Sequence, residues 1–304
     1  MDYIRIFQKE ECMKTKMITS LSVITLLLLF SMAGCSSSDT TNAPKKEKEC
    51  SETSSCKDGY ACVDGKCTSL STKIPFEDKN LEGAVIKALK EQDSSFNDKK
   101  GYVTVGECQG LTKLDAWNKG ITSIKGIEYC TGLEQLYLSV NQISDISPLS
   151  GLTNLTELDL HWNQITDISP LSRLTNLTTL YLYNNQISDI SPLSGLTNLT
   201  VLYLNHNQIS DISPLSRLTN LTELWLNKNQ ITDISPLSGL TKLTELYLDG
   251  NQISDISALL KNDGLGEGDQ VWLIGNPIVD KDPKGQIQAL KDKGVTVYTE
   301  LQAP

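Results

Sequence analysis

Residues 133–154, LEQLYLSVNQISDISPLSGLTN, recur almost unchanged from 155, 177, 199, 221 and 243. The asparagines Asn141, Asn163, Asn185, Asn207, Asn229 and Asn251 mark the period, each 22 residues after the last. A fixed period of this length specifies a solenoid, in which each coil packs only on its neighbours. In residues 155–176, Leu158 and Leu160 alternate with Glu157, Asp159 and His161, the pattern of a strand with one buried face. Leu155, Ile165, Ile168, Leu171 and Leu174 complete the inward set. One such coil buries too little to offset the entropy of ordering its backbone, so the array is stable only as an array.

The spacing L-x-x-L-x-L-x-x-N-x-I is that of leucine-rich repeats, and the continuation D-I-S-P-L-x-x-L resembles the 22-residue class of bacterial internalin-like proteins. That resemblance covers residues 111–276. It implies an α/β fold: a right-handed solenoid with a curved parallel sheet and short helical turns on the convex side. It also implies that the anchor asparagine lies inside and bonds backbone groups of its own and neighbouring coils, a task suited to an amide with both donors and acceptors. Ser169-Pro170 reads as an N-cap followed by proline at the first helical position.

The chain begins with a targeting pattern. Lys14 and Lys16 precede the apolar run 21–30 and the small residues before Cys35. Met32-Ala33-Gly34-Cys35 resembles a bacterial lipobox, which implies cleavage after residue 34 and a lipid on Cys35. The alternative is a transmembrane anchor, for which the run is short. Met13 and Met17 are alternative starts, of which Met13 keeps both lysines. Loss of residues 1–34 takes the net charge from −10 to −11. An acidic body without a basic patch argues against nucleic acid as partner. Residues 35–49 read as a flexible tether.

Cys50, Cys56, Cys62 and Cys67 crowd the module 50–70, too small and poor in aliphatics to fold without staples. Two disulfides are expected, and spacing alone leaves three pairings open. Resemblance to small cysteine-rich knots on other bacterial lipoproteins implies Cys50–Cys62 with Cys56–Cys67. Zinc is the rival reading, although a CxxC pair is lacking. Cys108 and Cys130 are 22 residues apart, hence in one phase of adjacent coils, which predicts a disulfide; two buried thiols filling leucine positions are the alternative.

Residues 71–110 are expected to form an N-terminal cap like that of internalin-like arrays, with a helix over 75–92 capped by Asp78 or Asn80 and a strand over 102–105. In the worn first repeat Lys119 replaces the anchor asparagine. The array ends at Asn276, and residues 277–304 are read as a C-terminal cap with a helix over 282–293 and a closing strand over 295–298.

The outward strand positions form columns. One holds Tyr137, Asp159, Tyr181, Tyr203, Trp225, Tyr247 and Trp272; its neighbours begin Ser139, His161, Tyr183 and Gln135, Glu157, Thr179. An exposed aromatic stripe flanked by acids and amides has the composition of a binding hot spot, although aromatics also favour strands for packing alone. The candidate ligand-binding residues are therefore Tyr137, Asp159, His161, Tyr181, Tyr183, Tyr203, Trp225, Tyr247 and Trp272. The repeated Asp145 to Asp255 suggests calcium or, more simply, acceptors for local N–H groups. The N-x-T triplets from Asn154 onward are part of the repeat. No G-x-S-x-G, HExxH or phosphate loop is present, and His161 and His206 are two coils apart, so neither an enzyme nor a cofactor or metal is expected. The expected function is that of a monomeric, lipid-anchored cell-envelope protein that binds an unidentified protein on its concave face. Glycan or cell-wall binding and a scaffold without ligand are the alternatives.

Overall fold

The structure is a computed structural model and describes residues 56–300 apart from Asp64 and Pro283. The signal, Cys35, the tether and Cys50 lie outside the described residues. A hairpin, β1 (Tyr60–Val63) and β2 (Lys66–Ser69), is followed by helices α1 (Lys79–Gln92) and α2 (Val105–Gln109). Nine strands then form one parallel sheet in chain order: β3 (Lys113–Asp115), β4 (Gln135–Tyr137), β5 (Glu157–Asp159), β6 (Thr179–Tyr181), β7 (Val201–Tyr203), β8 (Glu223–Trp225), β9 (Glu245–Tyr247), β10 (Gln270–Trp272) and β11 (Thr296–Tyr298). Register follows the repeat, so Leu136 pairs with Leu158 and Tyr137 with Asp159. This is the leucine-rich repeat solenoid that the period implies.

Within the coil 155–176, Leu155, Leu158, Leu160, Ile165, Ile168, Leu171 and Leu174 are all buried, and the same positions are buried in the coils around it. The anchor amides occupy the turn out of the strand. Asn163 Oδ1 accepts from Ile143 N at 3.0 Å, while Nδ2 donates to Leu138 O at 3.1 Å and Leu160 O at 3.0 Å. Each anchor thus satisfies turn groups of two coils in a dry interior, and successive anchors share a carbonyl, as Leu138 O also accepts from Asn141 Nδ2 at 2.8 Å.

On the convex side the turns are 3₁₀ helices such as Ser169–Arg173, with proline near the start. Ser169 is not the cap: it lies inside the turn and its N–H donates to Asp167 Oδ1 at 2.8 Å. The aspartate two residues ahead is the better-placed acceptor. Its second oxygen takes the Ser169 hydroxyl at 3.0 Å. Both oxygens of Asp167 are therefore held by the turn itself, as are those of Asp189, Asp211 and Asp233. The asparagines of the N-x-T triplets tie coil to coil, as in Asn176 Nδ2 to Thr153 O at 2.9 Å.

The N-terminal end is closed by α1. Asp78 Oδ1 accepts from Asn80 N at 2.8 Å and Leu81 N, and its Oδ2 accepts from Thr122 N at 2.9 Å, so one carboxylate caps the helix and fastens it to the first coil. Phe76 lies so close to Gly126 that a β-carbon there would sit 2.4 Å from the ring. The strand expected over 102–105 is not formed. Thr104 makes one antiparallel bridge with Lys73, and Val105 opens α2. The reason is a capping-box pair: the Glu107 carboxylate accepts from Thr104 N at 2.9 Å and from its hydroxyl at 2.7 Å. Cys108 is thus helical, yet its α-carbon is 4.5 Å from that of Cys130 and the two are disulfide-bonded. They occupy the convex phase held by Leu152 and Leu174 in later coils. In the hairpin module Cys56 is bonded to Cys67, and Cys62 is also in a disulfide, which leaves no thiolate among these three for zinc.

At the other end Asn276 takes the anchor role, with Oδ1 accepting from Ile253 N at 3.0 Å. The closing helix runs over Gln286–Asp292 rather than 282–293 because Asp282 stays outside it, its carboxylate accepting from Gln286 N and Ile287 N at 2.8 Å. Short helices at Ser257–Lys261 and Pro277–Asp280 flank β10. The insertion that displaces Asn276 passes so near the previous coil that a β-carbon on Gly264 would meet Thr241 O at 1.9 Å.

Candidate functional site

The sheet's outward face carries the candidate residues, and its two halves differ. From β6 onward the ring column is a continuous stack. Ring centroids lie 4.9 Å apart for Tyr181–Tyr203, 4.1 Å for Tyr203–Trp225, 4.5 Å for Trp225–Tyr247 and 3.8 Å for Tyr247–Trp272. Tyr298, which the repeat period does not reach, extends it at 4.6 Å from Trp272. The rings pack on one another because parallel strands repeat at about 4.8 Å, within the range of a single ring-to-ring contact. Trp225 and Tyr247 are consequently 7% and 6% exposed, so they are buried ladder members and not the open stripe expected from alternation.

The flanking column braces this ladder. Tyr203 Oη donates to Glu223, and Trp225 Nε1 donates to Glu223 Oε1 at 2.9 Å. On the opposite flank Asn205, Asn227 and Asp249 are buried. Burial pushes Asp249 up to about 6, against the pull of the Ile274 N–H and Lys228. Burial and then the charge of Glu223 raise Glu245. Burial and hydrogen bonding to Glu157 push Tyr137 up to about 12. Tyr181 is raised by burial and then by Glu157, Glu223 and Asp159. Protons are held more tightly on both halves of the face, as burial and a surplus of carboxylates require.

The N-terminal half is open. Asp159 interrupts the ring column on β5, leaving Tyr137 and Tyr181 two strands apart. His161 Nδ1 lies 2.5 Å from Asp159 Oδ1, and its ring stacks on Tyr183 with centroids 4.2 Å apart. Lys113 Nζ sits 5.1 Å from the Tyr137 ring centroid, a cation on an aromatic face. Trp117, in the column of Ser139 and His161, is 48% exposed; the worn repeat hides it from the period, but its place 22 residues before Ser139 identifies it.

Variation among the coils falls on this face. Outside four positions, the coils from Leu155, Leu177, Leu199 and Leu221 differ only by Ser for Thr, Gly for Arg and Lys242 for Asn. Three of the four positions are the outward columns. The fourth immediately precedes the anchor asparagine, and there the backbone is left-handed: Val140 φ 57°, Trp162 53°, Asn184 54°, His206 55° and Lys228 58°. A β-branched or bulky residue is unfavourable in that conformation, so packing does not select Val140 or Trp162. The fold dictates the framework and leaves these four positions to another purpose.

The chain matches the family model described as leucine-rich repeats (2 copies) at residues 109–151, 131–173, 175–217 and 219–261. In three dimensions it is similar to internalin C2 of Listeria monocytogenes, with 40% identity over 76% of this chain and 99% of that one and a TM-score of 0.66. A second internalin of that organism, inlF, is 30% identical over 74% of this chain and 90% of its own, with a TM-score of 0.36. A leucine-rich repeat protein of Leptospira interrogans shares the fold at 24% identity, covering 64% of this chain and 51% of its own, with a TM-score of 0.54. No curated protein sequence matches the chain.

Proposed function

The chain belongs to the internalin-like leucine-rich repeat proteins, and from that premise we propose that it is a lipid-anchored envelope protein that captures another protein on the concave face of its sheet. Leucine-rich repeat modules of this kind are typically binding scaffolds and not enzymes. The observation that carries the reading is the confinement of coil-to-coil variation to the outward columns and the strand exit. On β3 to β5 these positions carry no part of the ring ladder, so their chemistry answers to something outside the fold. The open half, with Trp117, Tyr137, Asp159, His161 and Trp162, together with Tyr181 and Tyr183 at its border with the ring ladder, is the part placed to make contact. From Tyr203 to Tyr298 each ring packs on the next, face to face at Tyr203–Trp225, Tyr247–Trp272 and Trp272–Tyr298. Sugars stack on open faces, which favours a protein partner over a glycan.

The test is crosslinking capture from envelope extracts with the native chain and with a Trp117→Ser, Trp162→Asn, Tyr183→Asn variant. Each replacement is a residue type that neighbouring coils or surfaces tolerate, so folding is retained. Loss of one specific protein from the capture supports the reading, and an unchanged capture overturns it. The anchor rests on Met32–Cys35 and has its own test: Cys35→Ser is expected to release the protein from membrane fractions, and persistent membrane association would overturn lipidation. Lipidation would place the chain on the exported side of a membrane, acting as a monomer.

A further inference from the structure

Resting on the reading of the concave face as a protein-docking surface, we infer that the gap at Asp159 is a socket for an arginine side chain of the bound protein, with Tyr137 and Tyr181 as walls and the Asp159 carboxylate as floor.

The geometry has three parts. First, every described strand from β6 to β11 carries a ring in this column, and β5 alone interrupts it between two tyrosines. Alternate strands are about 10 Å apart, so a planar group stacked about 3.5 Å from each wall needs the two rings to lean in to about 7 Å as it enters. A guanidinium meets that requirement and stacks on aromatic faces, whereas a compact ammonium fills the width less well. Second, the floor has an acceptor to spare. Asp159 Oδ1 takes His161 Nδ1 and His161 N, while Oδ2 has no hydrogen-bond partner among the described residues. Thirteen per cent of the Asp159 side chain remains exposed, enough to be reached and little enough to be shielded from water. Third, the chain already demonstrates the chemistry on one wall, where Lys113 lies over the Tyr137 ring at 5.1 Å.

Charge complementarity selects the occupant. The outward columns of the sheet carry Asp115, Glu157, Asp159, Glu223, Glu245 and Asp249 against Lys113. Glu157, beside the socket, accepts from Gln135 Nε2 at 3.2 Å and adds a carboxylate to the rim. Such a field draws in a cationic partner and disfavours an acidic one. The socket also accounts for the one departure from the ring pattern within the regular coils. A tyrosine at 159 would continue the stack from Tyr137 to Tyr298 and leave no place for an incoming side chain.

The experiment is calorimetric titration of the full chain in detergent with acetylated tri-arginine amide, with tri-serine amide as reference. Saturable binding is expected for tri-arginine alone. Asp159→Asn, which keeps the shape and removes the charge, is expected to weaken it about fivefold or more. Asp159→Tyr is expected to abolish it, and Glu223→Gln in the closed half to change it by less than about twofold. Thermal melts confirm that each variant is folded. No saturable binding by the native chain, or equal binding by Asp159→Tyr, overturns the socket. Capture sensitive to Trp117, Trp162 and Tyr183 together with insensitivity to Asp159 overturns the socket alone. Asp159-dependent peptide binding with unaltered capture overturns the docking face alone.

Discussion

The two halves of the outward sheet face are built from the same coil and do different work. On β6 to β11 each ring is covered by the next, the flanking glutamates are tied to ring hydroxyls and indole nitrogens, and the polar column beside them is buried. On β3 to β5 the rings stand apart, an aspartate replaces one of them, and Trp117 projects into solvent. The framework beneath is shared: the anchor of either half bonds the same backbone groups at nearly the same distances, as Asn163 and Asn229 show. A single substitution column therefore turns one surface into a packed ladder and leaves its neighbour open. Aromatic content alone does not mark a binding face; aromatic faces left uncovered do.

The comparison is broken or sharpened most directly by removing a ring from each half. Trp225→Ala takes out a buried ladder member and is expected to cost about 3–5 kcal/mol, whereas Tyr137→Ala is expected to cost about 1 kcal/mol or less. Thermal midpoints of the two variants check this, and equal losses would mean the halves are not distinct. Next in size, Asn163→Leu and Asn229→Leu each leave a buried N–H unpaired. The orphaned groups are Ile143 N–H and Ile209 N–H, since each carbonyl keeps a second anchor amide, and each variant is expected to destabilise by about 1–3 kcal/mol, alike in both halves, because the framework is common to them. Unequal losses in chemical denaturation would show that the ladder stiffens the coils under it. The smallest effect is on pH dependence. Burial raises Asp249 to about 6 from its ordinary 3.8, so the folded chain binds that proton more tightly than the unfolded one. Its contribution is fully present below about pH 4 and is lost as pH rises through 6, about 1.4 kcal/mol per pH unit and at most about 3 kcal/mol across the window. Asp249→Asn should flatten stability over that window, and an unchanged pH profile would show that its burial does not hold the proton.

Much of this was legible before any coordinates. The 22-residue period determined the register of β4 to β9, and the aliphatic positions of each coil are the buried ones, because identical coils stacked in phase have one way to hide them. The columns themselves also follow from alternation. What alternation does not reveal is whether a ring that points outward is covered sideways by its neighbour. That depends on side-chain contact across strands, which is why Trp225 and Tyr247 read as open. Tyr298 escaped because its strand lies outside the period, and Trp117 because Lys119 replaces the anchor beside it. Residues 102–105 look like a strand from their composition, yet Thr104 and Glu107, three apart, carry the helix-start signal that prevailed. Ser169 was misassigned as a cap because the acceptor lies one step further back, on Asp167.

The uniform coil-to-coil register has a genetic corollary. Since any coil presents its successor with the same pattern of donors, acceptors and apolar contacts, excision of residues 155–176 in frame would rejoin two mating surfaces and bring Tyr137 next to Tyr181. One unequal exchange between neighbouring copies would then erase the gap and add a rung to the stack, and a duplication would create a second gap. A surface encoded this way can be edited by whole units, with the interior never asked to repack.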